Sequence, residues 1–464
     1  MSTLSIFDAA REAPDALAVL EGEHRLSFRE LARRTEPYAR ALLTARPRAL
    51  ALTPRAEVES LLWLYAAFAT GTPVLLLHPR ATALEKAHAS ALADASEVAE
   101  PSPGALDVAS LPVVDDATTL AFLPTSGSTG VPRLVQLSRA ALLASAHASA
   151  QNLGWQPDDC WLLCLPLSHT GGLSIVTRSL IARRAVSLFE PGPSGTLGQV
   201  DRLARLAERA TLISLVPSVL TALLDGGFVA PPQLRAVLVG GAGCAPELAE
   251  RTRLAGLPLL TSYGLTETAS QVVTRRYAER YATLPTRRGV VSSGQPLPGV
   301  ELRLDGETIA IRSSSLFSGY VGVATAPLDP DGWLITTDRG EIGEDGELYV
   351  RGRSDDVIIT GGENVDPLEV EAALSELPGV KAVCVFGTPS ERFGEVVTAL
   401  LVCTDATLAQ PARLAAVLGN RLARHKCPRR LLLVEELPLT ATGKVDRRAC
   451  KARLLAQPST ERET

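Results

Sequence analysis

A chain of 464 residues exceeds one ordinary hydrophobic core, so at least two domains are expected. Its 46% hydrophobic and 21% charged residues are ordinary for a soluble globular protein, and a net charge of −5 leaves no broad basic surface for nucleic acid. Seven cysteines, an odd number with no CxxC pair and no metal-ligand spacing, read as reduced, mostly buried thiols of a cytoplasmic protein rather than a disulfide framework. Residues 1–10 hold no basic segment followed by an apolar core, so no signal peptide is expected. The most apolar stretch, residues 61–77, is interrupted by Thr70-Gly71-Thr72-Pro73. It reads as a helix, a turn and a buried strand rather than a membrane span.

In chain order, Ser27 can cap a helix beginning at Phe28, with Glu30 three residues on. A helix over 61–69 and a strand over 74–77 argue a layered α/β domain. Residues 81–110 are Ala-rich and free of motifs, and His24, His78, His88 and His147 are isolated, as surface or satisfied core histidines are. Then comes Pro-Thr-Ser-Gly-Ser-Thr-Gly-Val-Pro-Arg over 124–133, between two apolar runs. Glycine lets the backbone turn its N–H groups toward a ligand, while Thr125, Ser126, Ser128 and Thr129 add donors and Arg133 adds a charge. These suit a phosphate chain, although the P-loop spacing is absent and a plain surface loop has the same composition.

A helix candidate over 138–153 leads to an apolar strand at 160–166, which delivers Leu167-Ser168-His169-Thr170-Gly171-Gly172-Leu173. Loops leaving buried strands are where α/β folds place ligands, so His169 is a pocket candidate against a core-histidine reading. A helix from Leu173 would carry Arg178 in its second turn. Arg178 could meet a carboxylate bidentately, or be a solvated arginine beside Arg183 and Arg184. Buried strands at 211–216 and 236–239 flank a helix, and the second ends in Gly240-Gly241-Ala242-Gly243, with room for a flat ring. A strand at 257–262 feeds Tyr263-Gly264-Leu265-Thr266-Glu267-Thr268. Tyr263 offers an aromatic face, Thr266 a hydroxyl, and Glu267 the hard oxygen that Mg²⁺ prefers when shared with phosphates. The same string could be a helix N-terminus capped by Thr266. Segments 294–299, 307–312 and 319–320 read as a β-rich lobe, followed by Asp338 at a strand end and the run Gly352-Arg353-Ser354-Asp355. The remaining residues form a smaller unit with helices at 367–377 and 411–424 and strands at 380–386, 396–402 and 431–434. It carries Thr442-Gly443-Lys444 on a loop, and a polar tail at 456–464.

The 124–133 stretch, the 263–268 string, Asp338, Gly352-Arg353 and Gly443-Lys444, in this order and at these separations, resemble the acyl-adenylate-forming (AMP-binding) superfamily of acyl-CoA synthetases, luciferases and peptide-adenylation domains. The resemblance implies a large layered α/β domain over 1–354 with a β-rich lobe, and a small hinged α+β domain over 355–464. It further implies phosphate contacts from Thr125, Ser126, Gly127, Ser128, Thr129, Gly130 and Arg133, where the family usually ends the loop in Lys. Gly241, Ala242 and Tyr263 would flank adenine, with Gly240, Gly264 and His169 beside the acyl group. Thr266 would lie near the α-phosphate, Glu267 would ligate Mg²⁺, and Asp338 and Arg353 would hold the ribose. Lys444 would bridge the carboxylate and the α-phosphate, Asp355 would be the hinge, and Gly361 and Gly362 would line the CoA channel. The longer string over 263–274 is similar to o-succinylbenzoate–CoA ligases of menaquinone biosynthesis, where Arg178 fits a second substrate carboxylate. The expected reactants are an aromatic carboxylate, ATP and CoA. The alternatives are an aryl-CoA ligase for benzoate or anthranilate, and a protein that binds acyl-adenylate or loads a carrier without CoA turnover. A homodimer is one assembly open to such a chain.

Overall fold

Long runs of apolar, β-favouring residues with both faces covered build parallel strands, and this chain has two sheets made that way. The computed structural model describes residues 3–99, 101, 104, 106–125, 133–191, 196–323, 327–361, 363–390, 393–404, 418, 422–440 and 444–455. The larger sheet has nine strands, with Leu17–Glu21, Ala185–Leu188, Cys160–Leu163, Leu212–Leu215, Ala236–Val239 and Leu259–Leu265 parallel in its middle. Antiparallel strands His24–Ser27 and Ser270–Thr274 flank this run, and Gln295–Pro296 closes the latter side. A six-stranded sheet runs Gly319–Tyr320, Arg133–Ser138, Thr119–Thr125, Val74–Leu76, Ala49–Leu52, Ala95–Ser96.

Helices fill the space between the two sheets. Phe28–Ala45 starts in the expected capping box: Ser27 Oγ accepts from Glu30 N while Ser27 N donates to Glu30 Oε2 at 2.8 Å. Val58–Thr70 is apolar almost all round and is buried accordingly. Arg139–Leu153 begins at the Ser138 cap, and Thr170–Ala182 lies beside it. One hydrophobic cluster joins both sheets through these helices, from Leu50, Val74 and Leu120 to Trp161, Val186 and Leu238.

The lobe is a four-stranded antiparallel sheet of Val300–Asp305, Thr308–Ser313, Leu334–Ile342 and Leu348–Arg353. Two segments expected in it belong elsewhere: Gln295–Pro296 pairs with Ser270–Thr274, and Gly319–Tyr320 pairs with Arg133–Ser138. Each covers an otherwise open strand edge with backbone donors and acceptors. The C-terminal part has its own five-stranded sheet, with Arg430–Leu433 parallel to Gly394–Cys403, and its own cluster of Ile358, Val370, Leu374, Val385, Val397 and Leu431. Pro367–Ser375 is the expected helix with proline in its first turn. Arg447–Leu455 is a further helix, whose Arg447 donates to Asp356 Oδ2 at 2.9 Å and Glu371 Oε1 at 2.7 Å. The expected helix at 411–424 falls largely outside the described residues, as does the tail 456–464. None of the seven cysteines forms a disulfide, and among the described residues no helix is long and apolar enough to cross a membrane.

Candidate active site

Parallel neighbours end on one side of a sheet, so Cys160–Leu163, Leu212–Leu215, Ala236–Val239 and Leu259–Leu265 send their following segments to one edge. Here Ala236–Val239 runs into Gly240, Gly241 and the exposed Ala242. Gly241 has φ +78°, and a Cβ there would come 2.7 Å from Lys444 Cε and 3.0 Å from its Nζ. The lysine of the small C-terminal part therefore lies over the glycine turn of the large sheet. Its loop is pinned by Thr440 N donating to Lys444 O at 2.7 Å and Lys444 N donating to Thr440 Oγ1 at 3.2 Å. Burial lowers the Lys444 ammonium below its ordinary range, and the Asp338 carboxylate opposes that shift.

Asp338 is not at a strand end. It is the inward-facing fifth residue of Leu334–Ile342, which continues into a hairpin with Leu348–Arg353. Tyr263 Oη donates to Asp338 Oδ2 at 2.7 Å, satisfying a carboxylate whose burial pushes its pKa up. Arg353, opposite Asp338 in register, lies 3.8 Å from Oδ1 and donates to Thr337 Oγ1 at 2.6 Å. The Tyr263 ring is mostly covered by Val272, Val273, Ile309 and Leu348, so its hydroxyl is committed to Asp338 and little of its face is open. A Cβ on Gly264 would sit 2.1 Å from Ser270 O, which is why the hairpin can close there only with glycine. At Gly240 the nearest group is Ser262 Oγ, itself bonded to Val239 O.

The string 263–268 does not start a helix. The strand runs through Leu265, and Thr266–Thr268 is one 3₁₀ turn whose hydroxyl partner for Leu265 N is Thr268, not Thr266. Ala269 and Ser270 follow at φ 51° and 101°, a left-handed pair anchored by Ser145 Oγ donating to Ala269 O at 2.8 Å. Glu267 Oε1 accepts from Tyr320 Oη at 2.9 Å, and the Arg133 guanidinium lies 5.3 Å from the Tyr320 ring centre. Thr125 Oγ1 donates to Arg133 O, closing the base of the expected phosphate loop. Ser126, Gly127, Ser128, Thr129, Gly130 and Gly362 lie outside the described residues. Gly361 turns between Ile358–Thr360 and Glu363, at φ +61°, and Asp355 lies 3.6 Å from Arg353 in the short turn Ser354–Asp356.

The helix after His169 starts three residues earlier than expected, at Thr170, so Arg178 falls in its third turn. His169 packs against His78, ring centres 5.5 Å apart, and its Nε2 is buried without a partner. Burial, with His78 and Lys444 nearby, pushes its pKa down to about 3, so the ring is neutral. His78 was not singled out as a site residue, because an isolated histidine gives no signal. Tyr320 was missed because Gly-Tyr reads as an ordinary strand fragment.

Arg178 is 3% exposed, against the solvated reading. Nη1 donates to Gln271 Oε1 at 3.2 Å, Nη2 to Ser145 Oγ at 3.3 Å, and Nε has no partner. Trp161 lies 5.9 Å from the guanidinium carbon. No carboxylate pairs with it among the described residues, and burial pulls its pKa down to about 9. By contrast, the buried Arg183 meets Glu12 at 2.9 Å, and Arg235 holds the fully covered Asp159 at 2.7 and 2.5 Å. An unpaired buried cation is costly, and the arrangement suits an anion brought by a ligand. Among the described residues no three His, Cys, Asp or Glu side chains converge on a metal site. Glu267 offers one hard oxygen of the kind that would suit a magnesium ion held mostly by a triphosphate.

A parallel sheet ending in a glycine turn, a buried inward carboxylate and a lysine brought over that turn on a loop of the C-terminal part together make up the site. Residues 91–321 match the AMP-binding enzyme family, and residues 369–444 match the AMP-binding enzyme C-terminal domain; the chain belongs to this family. A 2-succinylbenzoate–CoA ligase of Geobacillus kaustophilus (strain HTA426) is 34% identical over 495 residues, covering 97% of this chain and 96% of that one. The o-succinylbenzoate CoA synthetase of Bacillus subtilis, solved with the acyl-adenylate intermediate OSB-AMP, is similar with TM-score 0.82 at 27% identity, covering 97% of this chain and 98% of that chain. The same enzyme with ATP and magnesium ion gives 0.81 at 27% identity, over 96% of this chain and 98% of that one.

Proposed function

We propose that this protein is an ATP-dependent acid–CoA ligase that converts 2-succinylbenzoate into 2-succinylbenzoyl-CoA through an acyl-adenylate, a step of menaquinone synthesis. The observation that carries the substrate is Arg178, a buried cation to which the described residues supply hydrogen bonds but no counter-charge. The succinyl carboxylate is the missing partner. A benzoate or anthranilate ligase has no use for such a cation.

In the first step a benzoate oxygen attacks the α-phosphorus, and the bond to pyrophosphate breaks. Two anions must be brought together, so positioned cations carry much of the catalysis. Lys444 is the cation we assign to that junction, and its place over Gly241 supports reading this arrangement as the adenylating one. Asp338 and Arg353 are assigned to the ribose, and Thr125, Arg133 and the loop between them to the departing pyrophosphate. Glu267 would help hold a magnesium ion brought with ATP, which when bound would neutralise further phosphate charge. In the second step the CoA sulfur attacks the acyl carbon, AMP leaves, and the thiol proton passes to solvent. That step needs Lys444 withdrawn, so we assign residues 355–464 to a mobile domain, Asp355 to its hinge, and Gly361 and Gly362 to the thiol channel. The neutral His169 walls the acyl pocket without adding a charge to it. Cysteines without disulfides and the need for ATP and CoA favour the cytoplasm, and a homodimer is an assembly to be tested by sedimentation.

The test is pyrophosphate release with ATP and Mg²⁺ over 2-succinylbenzoate, benzoate, anthranilate and a medium-chain fatty acid, each with and without CoA. The expected result is a strong preference for 2-succinylbenzoate with CoA-dependent turnover. Preference for a simple aryl acid would sink the substrate assignment while leaving the chemistry.

A further inference from the structure

The strand that leaves the phosphate loop and the turn that carries Glu267 are tied together by one short strap, residues 317–321. Phe317 N donates to Glu267 O at 2.8 Å, Ser318 N to Gln136 O at 2.9 Å, and Val321 N to Leu134 O at 2.9 Å. Between them Gly319 and Tyr320 stand opposite Gln136 and Val135. From this strap the Tyr320 hydroxyl reaches Glu267 Oε1 at 2.9 Å. Its ring is held on one side by Phe317, edge-on at 4.9 Å, and carries the Arg133 guanidinium 5.3 Å from its centre. An ionised carboxylate can only accept, so in this pair the phenol is the donor. A carboxylate with one oxygen fixed by a donor presents the other in a set direction, as partners of metal-bound carboxylates commonly arrange. The planar guanidinium that replaces the family's usual lysine can lie over a ring, which an ammonium does less well.

We propose that Tyr320 is a positioning residue for adenylation: its hydroxyl aims Glu267 at the magnesium ion carried by ATP, and its ring seats Arg133 at the mouth of the phosphate loop. The inference rests on the ligase reading above. Tyr320→Phe in the full chain keeps the ring and the strap and removes one oxygen. With Mn²⁺ as probe in the presence of ATP, read by electron paramagnetic resonance, the variant should hold the ion about 10- to 100-fold more weakly. The Mg²⁺ needed for half-maximal pyrophosphate release should rise in parallel. CoA-dependent release of AMP from synthetic acyl-adenylate, which uses no ATP, should stay within about twofold of the wild type if Tyr320 acts only through Glu267. In a Glu267→Gln background the Tyr320 substitution should add no further loss of Mn²⁺ affinity, a comparison that discounts any general loss of stability. Unchanged Mn²⁺ affinity, equal losses in both half-reactions, or full additivity with Glu267→Gln would each overturn the inference alone. A wild-type chain that takes up no Mn²⁺ with ATP would overturn the ligase reading and this inference with it.

Discussion

Replacing Arg178 by methionine should make the protein more stable and the enzyme worse. The guanidinium is 3% exposed, and its pKa falls to about 9 from an ordinary value near 12.5, which sets a ceiling of about 5 kcal/mol on the cost of keeping it charged there. Against this stand two hydrogen bonds, to Gln271 and Ser145, each contributing about 1 kcal/mol, and the imperfect fit of a shorter side chain. Exchanging a buried ion for an apolar residue commonly gains about 1–4 kcal/mol, so we expect a rise in Tm of about 2–6 °C for Arg178→Met without ligand. Removing one partner of a buried charge pair costs about 3–5 kcal/mol, so KM for 2-succinylbenzoate should rise by about two hundredfold to several thousandfold. KM for benzoate, which has no second carboxylate, should move less than about threefold. Differential scanning fluorimetry and pyrophosphate release with both acids make the comparison. A lower Tm together with equal losses for the two acids would refute the reasoning, because Arg178 would then be a strut between Gln271 and Ser145.

Lys444→Met should slow adenylation by about 10²–10³-fold in single-turnover pyrophosphate release, while CoA capture from preformed acyl-adenylate stays within about threefold; equal losses would contradict its assignment. Gly241→Ala would place a methyl carbon 2.7 Å from Lys444 Cε and a Cβ in a left-handed conformation at about 1–2 kcal/mol, so adenylation should fall much more than thioester formation. Normal adenylation in that variant would mean that Lys444 acts from somewhere else. The His169 ring stays neutral in the fold down to about pH 3, whereas the unfolded chain takes up that proton below about pH 6.5. Between these values the unfolded state binds more protons, so stability should decline as pH falls through that window, and His169→Phe should flatten the decline of urea midpoints between pH 7 and 5. Parallel declines in both proteins would remove His169 from the account.

Most of the layered α/β plan was legible because its signals are local. Ser27 with Glu30, the largely apolar strands at 212–215 and 236–239, and Pro367 at a helix start each state their structure within a few residues. Asp338 was placed wrongly along its strand because strand ends depend on the partner, here the hairpin with Leu348–Arg353. Thr266 looked like a cap because the turn that defeats the helix is set by distant Ser145, which holds Ala269. Burial of Arg178 was illegible for the same reason: the groups around it, Trp161, Ser145 and Gln271, come from three other elements. The pairing of His78 with His169, and of Tyr320 with Glu267, joins residues whose neighbours in sequence say nothing about them.

The junction between the two parts is anchored on both sides. Arg353 is fastened to Thr337 in the lobe, and Asp356 is fastened by Arg447 into the C-terminal sheet's own framework. Only Ser354 and Asp355 lie between, and each residue has just two soft torsions. In the proposed swing this makes a swivel between two bearings: both bodies can turn as rigid pieces, with neither anchorage released. What the rotation must give up at the joint is the 3.6 Å contact of Arg353 with Asp355, a half-exposed pair worth under about 1 kcal/mol. A joint so nearly free stores almost no preference of its own. If the proposed swing occurs, the choice between orientations falls to the ligands in the cleft and to the packing of Pro367–Ser375 against Leu348–Arg353, not to the joint.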